Sequence, residues 1–348
     1  MNFKNFKKIA SLGLALALVA IPTGCGNKNK QDQGAGKDAG KDAGEKQIVW
    51  KLSDIVTEDH NWNLGAKDFA KRVEEKTGGK LKIDIYPNSE LGSEMEALNG
   101  ILSGTVDMTI SAESMSNWAP LADLMAAPYA YKNEEHIQKV LSSDVGDKIK
   151  KQIEDSGFKP LMYQLRTPRN LTSNKPISTP EEARGLKLRL SNTPLAIKCW
   201  EAVGANVNVM ALNEVFTALN QGVIDSQENP YDMIYNSSFY EVQKYANETE
   251  HVVGYLFFIV GEKQFNALPE EMQKQVLEAA SESQEYINKL YFDTKDDFKQ
   301  KLIEKGMTIN ENVDKDAFRK AMEPAIKEYF DADSYKIYEE VVELGKDL

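Results

Sequence analysis

From Ile48 onward, apolar and polar positions fall into periods that mark regular elements. Ile48–Leu52 is a short apolar strand followed by a polar turn, Ser53–Asn63. Leu64, Phe69 and Val73, with charges between them, predict an amphipathic helix over Leu64–Lys76, ended by Thr77-Gly78-Gly79. Leu81, Ile83 and Ile85 alternate with Lys and Asp, the pattern of a strand. Glu94–Leu102 reads as a helix stopped near Gly104, and Val106–Ile110 as a strand. A second unit repeats this rhythm. Its strands lie near Pro160–Leu165, Leu186–Leu190 and Val207–Met210, and its helices near Pro194–Val203 and Asn213–Gln221. Val252–Val260 is an almost continuous apolar run, as in a buried strand. Strand–helix alternation predicts an α/β fold with parallel strands. Glu270–Lys305 contains no Gly or Pro and is rich in Ala, Glu, Gln, Lys and Leu. It predicts either two helices broken near Tyr291–Thr294 or, more specifically, one long helix lying across two domains.

The first residues follow a different pattern. Lys4, Lys7 and Lys8 precede an apolar run, Ile9–Ile21, that is too short to span a bilayer about 30 Å thick as a helix. The run ends in Pro22-Thr23-Gly24-Cys25, which resembles the lipobox of bacterial lipoproteins, although Pro22 stands where Leu is usual. The resemblance implies a signal peptide over 1–24 and a lipidated Cys25. Gly26–Lys46, with its Lys37–Gly44 repeat KDAG-KDAG, has almost no large apolar residue and reads as a flexible tether, so 25–46 forms the anchor segment.

Composition narrows the function. The 348 residues carry a formal charge of −12, which disfavours non-specific binding to nucleic acid or anionic lipid. Two cysteines and three histidines exclude a disulfide scaffold and a Cys- or His-rich zinc site. There is no P-loop, GxGxxG, GxSxG, HExxH or CxxC motif. An exported protein without a catalytic signature points to binding rather than turnover, and no metal or cofactor is called for.

Four segments occur in a particular order: YPNSELG at Tyr86–Gly92, GTVDMTISAES at Gly104–Ser114, RNLTSNKP at Arg169–Pro176 with GLKLR at Gly185–Arg189, and NEVFTALNQGVIDSQENP at Asn213–Pro230. EVQKY and TEH follow, the latter at Thr249–His251. Together they resemble the solute-binding proteins of tripartite ATP-independent periplasmic (TRAP) transporters, the DctP-type family. The resemblance implies a two-domain α/β fold, hinged by strands and a long helix, that closes over one organic anion. It places domain I at 47–166 plus about 255–294 and domain II at 167–254 plus about 295–348.

It also implies a set of ligand contacts. Arg189, in GLKLR, clamps the ligand carboxylate. Its place near the end of a strand agrees, since side chains there face the crevice of an open α/β sheet, and a guanidinium offers two parallel donors to a carboxylate. Arg169 supports the carboxylate from the other side, with Arg166 a rival for that role, and Asn229 donates to the same group. Glu228 and Gln227 are expected to hold the loop. Glu113 reads hydroxyls distal to the carboxylate and repels a second carboxylate. His60 faces the cleft from the first domain. Asn88 is a turn residue and a candidate contact, and Tyr231, with Trp118 and Tyr129, is a candidate wall. Sialic-acid-binding members carry an aromatic at Leu212, so a large nine-carbon ligand is disfavoured. The best reading is capture of a hexuronate or related sugar acid for the membrane subunits of a TRAP transporter. The alternatives are a C4-dicarboxylate or other small carboxylate, or a protein that presents its ligand to a sensor.

Overall fold

The computed structural model describes residues 47–348; the leader, Cys25 and the tether lie outside the described residues. Nine strands form one sheet. They are β1 (Ile48–Ser53), β2 (Leu81–Tyr86), β3 (Met108–Ser111), β4 (Phe158–Ser173), β5 (Lys187–Leu190), β6 (Asn206–Val209), β7 (Ser226–Pro230), β8 (Tyr245–Gly261) and β9 (Thr308–Asn310). Their order is β2-β1-β3-β8-β4-β7-β5-β6, with β9 also on β8.

The two ends of this sheet are the parallel wings expected from strand–helix alternation. β1 lies parallel to β2 and β3, and β5 lies parallel to β6 and β7. The centre is different. β3 meets β8, β8 meets β4 and β4 meets β7 in antiparallel pairs. β4 and β8 are 16 and 17 residues long and run from one wing to the other. The N-terminal half of β4 pairs with Gly254–Gly261 of β8, and its C-terminal half lies between β7 and the first half of β8. The sequence marks only part of each: Pro160, Pro168 and the register shifts beside them interrupt alternation in β4, and the first half of β8, Tyr245–His251, is largely polar.

One of those shifts matters for the site. Arg166 lies opposite Gly254 and Arg169 opposite Val252, so β4 carries one extra residue between them. In a regular strand, positions three apart point to opposite faces. The bulge cancels that alternation and brings both arginines to the same cavity. Gly254 also permits a close approach, since a Cβ there would stand 2.7 Å from the Met125 carbonyl oxygen.

Helices cover the wings. Asn61–Lys76 packs along Glu270–Thr294, which also lies on β4. The stretch free of Gly and Pro is not one helix through Lys305. It breaks at Lys295–Asp296 and resumes as Asp297–Glu304. The Thr294 hydroxyl donates back to the Leu290 carbonyl and accepts from the Asn61 amide, and Lys295 pairs with Glu134. A hydroxyl bonded to the preceding turn weakens a helix at that point. The C-terminal helices divide. Lys315–Tyr329 packs on Pro194–Val203, whereas Ala332–Leu344 packs on Glu134–Leu141 and Asp144–Asp155, elements of the first half of the chain. Trp200, Phe158, Tyr255 and Phe318 lie in the largest apolar cluster, which joins helices from both halves. No helix among the described residues is long and apolar enough to cross a membrane.

Candidate functional site

The carboxyl ends of the parallel strands of both wings converge on one cavity of about 190 Å³. Ile55 follows β1, Ser89 follows β2, and Ser111 and Glu113 end and follow β3. From the other wing come Arg189 and Ser191 on and after β5, Met210 after β6 and Asn229 near the end of β7. This is the general location of ligand sites in open α/β sheets.

Arg189, 3% exposed, lines this cavity. Its Nε and one terminal nitrogen donate to the Met210 carbonyl oxygen at 3.0 and 2.7 Å, which fixes the plane of the guanidinium. Among the described residues it has no carboxylate within ion-pair distance. Burial therefore pushes its pKa down to about 10, with only partial relief from the charge of Glu228. A buried cation held by a backbone carbonyl and lining an open cavity is a site prepared for an anion.

Arg169, 4% exposed, is held differently. Its Nε and a terminal nitrogen fork onto both oxygens of Glu228, and the same terminal nitrogen also donates to the Glu228 carbonyl at 2.7 Å. His251 Nε2 lies 2.9 Å from the same carboxylate. The Thr249 hydroxyl accepts from the Leu171 amide and lies 2.8 Å from His251 Nδ1, and because an ionised carboxylate only accepts, His251 Nε2 donates to Glu228. Burial pushes the Glu228 carboxyl up, but Arg169 and His251 outweigh it and hold it near 2. Glu228 thus orients a guanidinium, a more specific task than the loop-holding expected of it. Gln227 does tie strands together, donating to the Thr172 hydroxyl at 2.9 Å.

Glu113 stands across the cavity. Its carboxylate takes a 2.7 Å hydrogen bond from Arg166 and lies 3.7 Å from Arg169. Burial raises its pKa, yet the two guanidiniums reverse that and leave it below the usual range. Arg166 also lies over the Trp62 ring, 5.7 Å from its centroid. Asn229, which lines the cavity, donates to the Gln227 side-chain oxygen at 2.6 Å.

Two contributors escaped the sequence reading. Trp62 supplies an aromatic side chain to the cavity; the sequence reading puts it in the polar turn Ser53–Asn63, but the helix begins at Asn61 and includes it. Glu94 sits in the first turn of Glu94–Ser103, set there by the Ser93–Glu96 capping box. Its oxygens accept from the hydroxyls of Ser111 at 2.6 Å and Ser114 at 3.1 Å. Burial raises its pKa, against those hydrogen bonds and with the help of nearby Glu113.

The structure therefore brings Arg189, Arg169, Arg166, Asn229 and Glu113 to one cavity. It does not bring Tyr231 there: that ring is buried in another cluster, and its hydroxyl donates to Glu248 at 2.9 Å. Trp118 packs edge-on against Phe158, and the Tyr129 hydroxyl donates to the Thr249 carbonyl. His60 caps the helix Asn61–Lys76, with Nδ1 accepting from the Trp62 amide, and lines a neighbouring cavity. Asn88 lines that second cavity too, from a left-handed turn with φ of 52°.

The family model described as DctP, bacterial extracellular solute-binding protein, family 7, matches residues 52–333. The chain belongs to this family. Its members are solute-binding proteins of the DctP type and not enzymes. A solute-binding protein of Roseobacter denitrificans is 42% identical over 282 residues, covering 81% of this chain and 86% of the relative. The 2,3-diketo-L-gulonate-binding periplasmic protein of Escherichia coli is 30% identical over 270 residues, covering 77% of this chain and 82% of that one. A solved TRAP periplasmic solute-binding protein from Roseobacter denitrificans, with bound L-galactonate, superposes with a TM-score of 0.83 at 40% identity and covers 85% of this chain and 99% of its own. In this family 7 protein, three arginines, Arg166, Arg169 and Arg189, line one cavity.

Proposed function

We propose that the protein captures a sugar acid, a hexuronate or related aldonate, by its carboxylate and delivers it to the membrane subunits of a TRAP transporter. The observation that carries this reading is Arg189, a buried guanidinium with no carboxylate partner among the described residues, facing a cavity that Arg169 and Asn229 also line. A ligand carboxylate supplies the missing counter-charge and accepts paired donors. Glu113 and Glu94, with Ser111 and Ser114, give the remainder of the cavity acceptors suited to hydroxyl groups. A second carboxylate there meets two acidic side chains, which disfavours a dicarboxylate. The relatives support the same class. Besides L-galactonate, solved members carry β-D-galacturonate, β-D-glucuronate and L-gulonate.

In this reading β4 and β8, which join the wings, act as the hinge. Contacts across the cleft mouth, such as the Asn117 amide donating to the Asn192 carbonyl at 2.9 Å, hold the closed form. The lipobox-like Cys25 anchors the protein outside the cytoplasm by lipid.

A thermal-shift screen with uronates, aldonates, C4-dicarboxylates and sialic acid tests the proposal. Ligand at 100 times its Kd stabilises the native state by about 2.7 kcal/mol, so a hexuronate or aldonate raises the melting temperature by several degrees. A response to dicarboxylates alone, or to none of these acids, contradicts it.

A further inference from the structure

Beside the arginine-lined cavity lies a second one of similar size, about 200 Å³ against about 190 Å³. Ile55, Leu212 and Met233 line both, so three apolar side chains form the wall between them. Beyond that wall the chemistry changes. Among the described residues, no Arg, Lys, Asp or Glu lines the second cavity. Its polar groups include His60, Asn236 and Ser237, and Phe216 and Phe239 add aromatic surface. His60 is 1% exposed and spends Nδ1 on its helix cap. Its Nε2 lies 3.4 Å from Asp232 without an aligned hydrogen bond.

We propose that the second cavity is a subsite for a neutral, hydroxylated group such as a glycosyl unit, and that Ile55, Leu212 and Met233 are the partition that limits the length of acid the protein accepts. This rests on the sugar-acid reading of the first cavity. Amide and hydroxyl groups set among aromatic rings, with no ionised lining, suit an uncharged sugar. A sugar acid bearing a glycosyl substituent offers a carboxylate to the three arginines and a neutral ring to this chamber. In the protein as it stands, the partition blocks the path between them. Leu212 and Ile55 are only partly buried, so trimming either leaves the core intact.

The test uses calorimetric titration with galactonate and with lactobionate, a galactosyl-gluconate. Wild-type protein binds lactobionate at least about tenfold more weakly than galactonate. Leu212→Ala or Ile55→Ala tightens lactobionate by at least about tenfold, and Asn236→Leu added to Leu212→Ala removes that gain while galactonate still binds. Trimmed variants that bind galactonate but gain nothing for lactobionate overturn the partition, as does a gain that survives Asn236→Leu. A separate arm uses methyl galactoside alone, followed by the imidazole NMR signals of His60. A saturable shift in wild type that Asn236→Leu abolishes supports the subsite, and no shift overturns it. Wild-type protein that binds no sugar acid refutes the reading of the first cavity, and the methyl galactoside arm still decides the second.

Discussion

Arg169 and Glu228 meet through a two-pronged ion pair, with guanidinium nitrogens 2.5 and 2.6 Å from the two carboxylate oxygens, and His251 holds one of those oxygens from the other side. Glu228 folds with its pKa lowered from 4.5 to about 2. Its contribution to stability is complete above the unfolded value and lost as pH falls toward the folded one, because over that window the unfolded chain binds more protons. At 1.36 kcal/mol per unit, the loss is on the order of 3 kcal/mol. Unfolding followed between pH 6 and pH 2 shows wild type losing stability below about 4.5, and Glu228→Gln, already weaker at pH 7, losing less over the same range. Parallel pH profiles for the two proteins contradict this assignment.

Asp123 has the opposite sign. It is buried, accepts from the Tyr329 hydroxyl at 2.6 Å, and burial raises its pKa from 3.8 to about 7. The folded state retains its proton where the unfolded state has lost it, so stability falls as pH rises through this window and stays lowered above it. Asp123→Asn keeps an acceptor for Tyr329 and removes the penalty. It stabilises the protein at pH 8 by roughly 1–4 kcal/mol and changes little at pH 4, as read by thermal melts at both values. A variant equally stabilised or destabilised at the two pH values argues against a buried charge at this position.

Glu113 governs choice more than strength. Glu113→Gln keeps an acceptor but removes the charge that Arg166 and Arg169 share and that repels a second carboxylate. The ratio of dicarboxylate to sugar-acid affinity rises by about tenfold or more in paired titrations. An unchanged ratio places the selectivity elsewhere.

Cys25 carries the prediction about location. On the proposed lipid anchor, Cys25→Ser removes the thiol that would be acylated and releases the protein from membranes in cell fractionation. Retention in the membrane fraction rules out the lipid anchor.

The wings were legible because strand–helix alternation is local: the segments Ile48–Leu52, Leu81–Ile85 and Pro194–Val203 lie within a residue of the elements they form. β4 was legible only in part, since Pro160, Pro168 and the extra residue between Arg166 and Arg169 break its two-residue period, and β8 only in part because its first half, Tyr245–His251, is largely polar. Arg189, Arg169, Asn229 and Glu113, which line one cavity, were singled out because short ordered motifs carry them. The Met210 carbonyl that orients Arg189 is a backbone atom and leaves no trace in side-chain identity. Trp62 and Glu94 reach the cavity through the tertiary position of their helices, which the periodicity of one helix does not encode. Tyr231 shows the converse: adjacent to Asn229-Pro230 in sequence, it turns into a different cluster because a helix begins at that residue.

The central claim is that Arg189 awaits the carboxylate of a sugar acid, and calorimetric titration of wild type and Arg189→Ala with galactonate and galacturonate tests it most directly. Removing one member of a buried, hydrogen-bonded charge pair costs about 2–5 kcal/mol. The account predicts affinity at least about thirty-fold weaker in Arg189→Ala, and a substantial loss in Arg189→Lys, which keeps the charge but not the paired donors. An Arg189→Ala protein that folds and binds these acids as wild type does would contradict it.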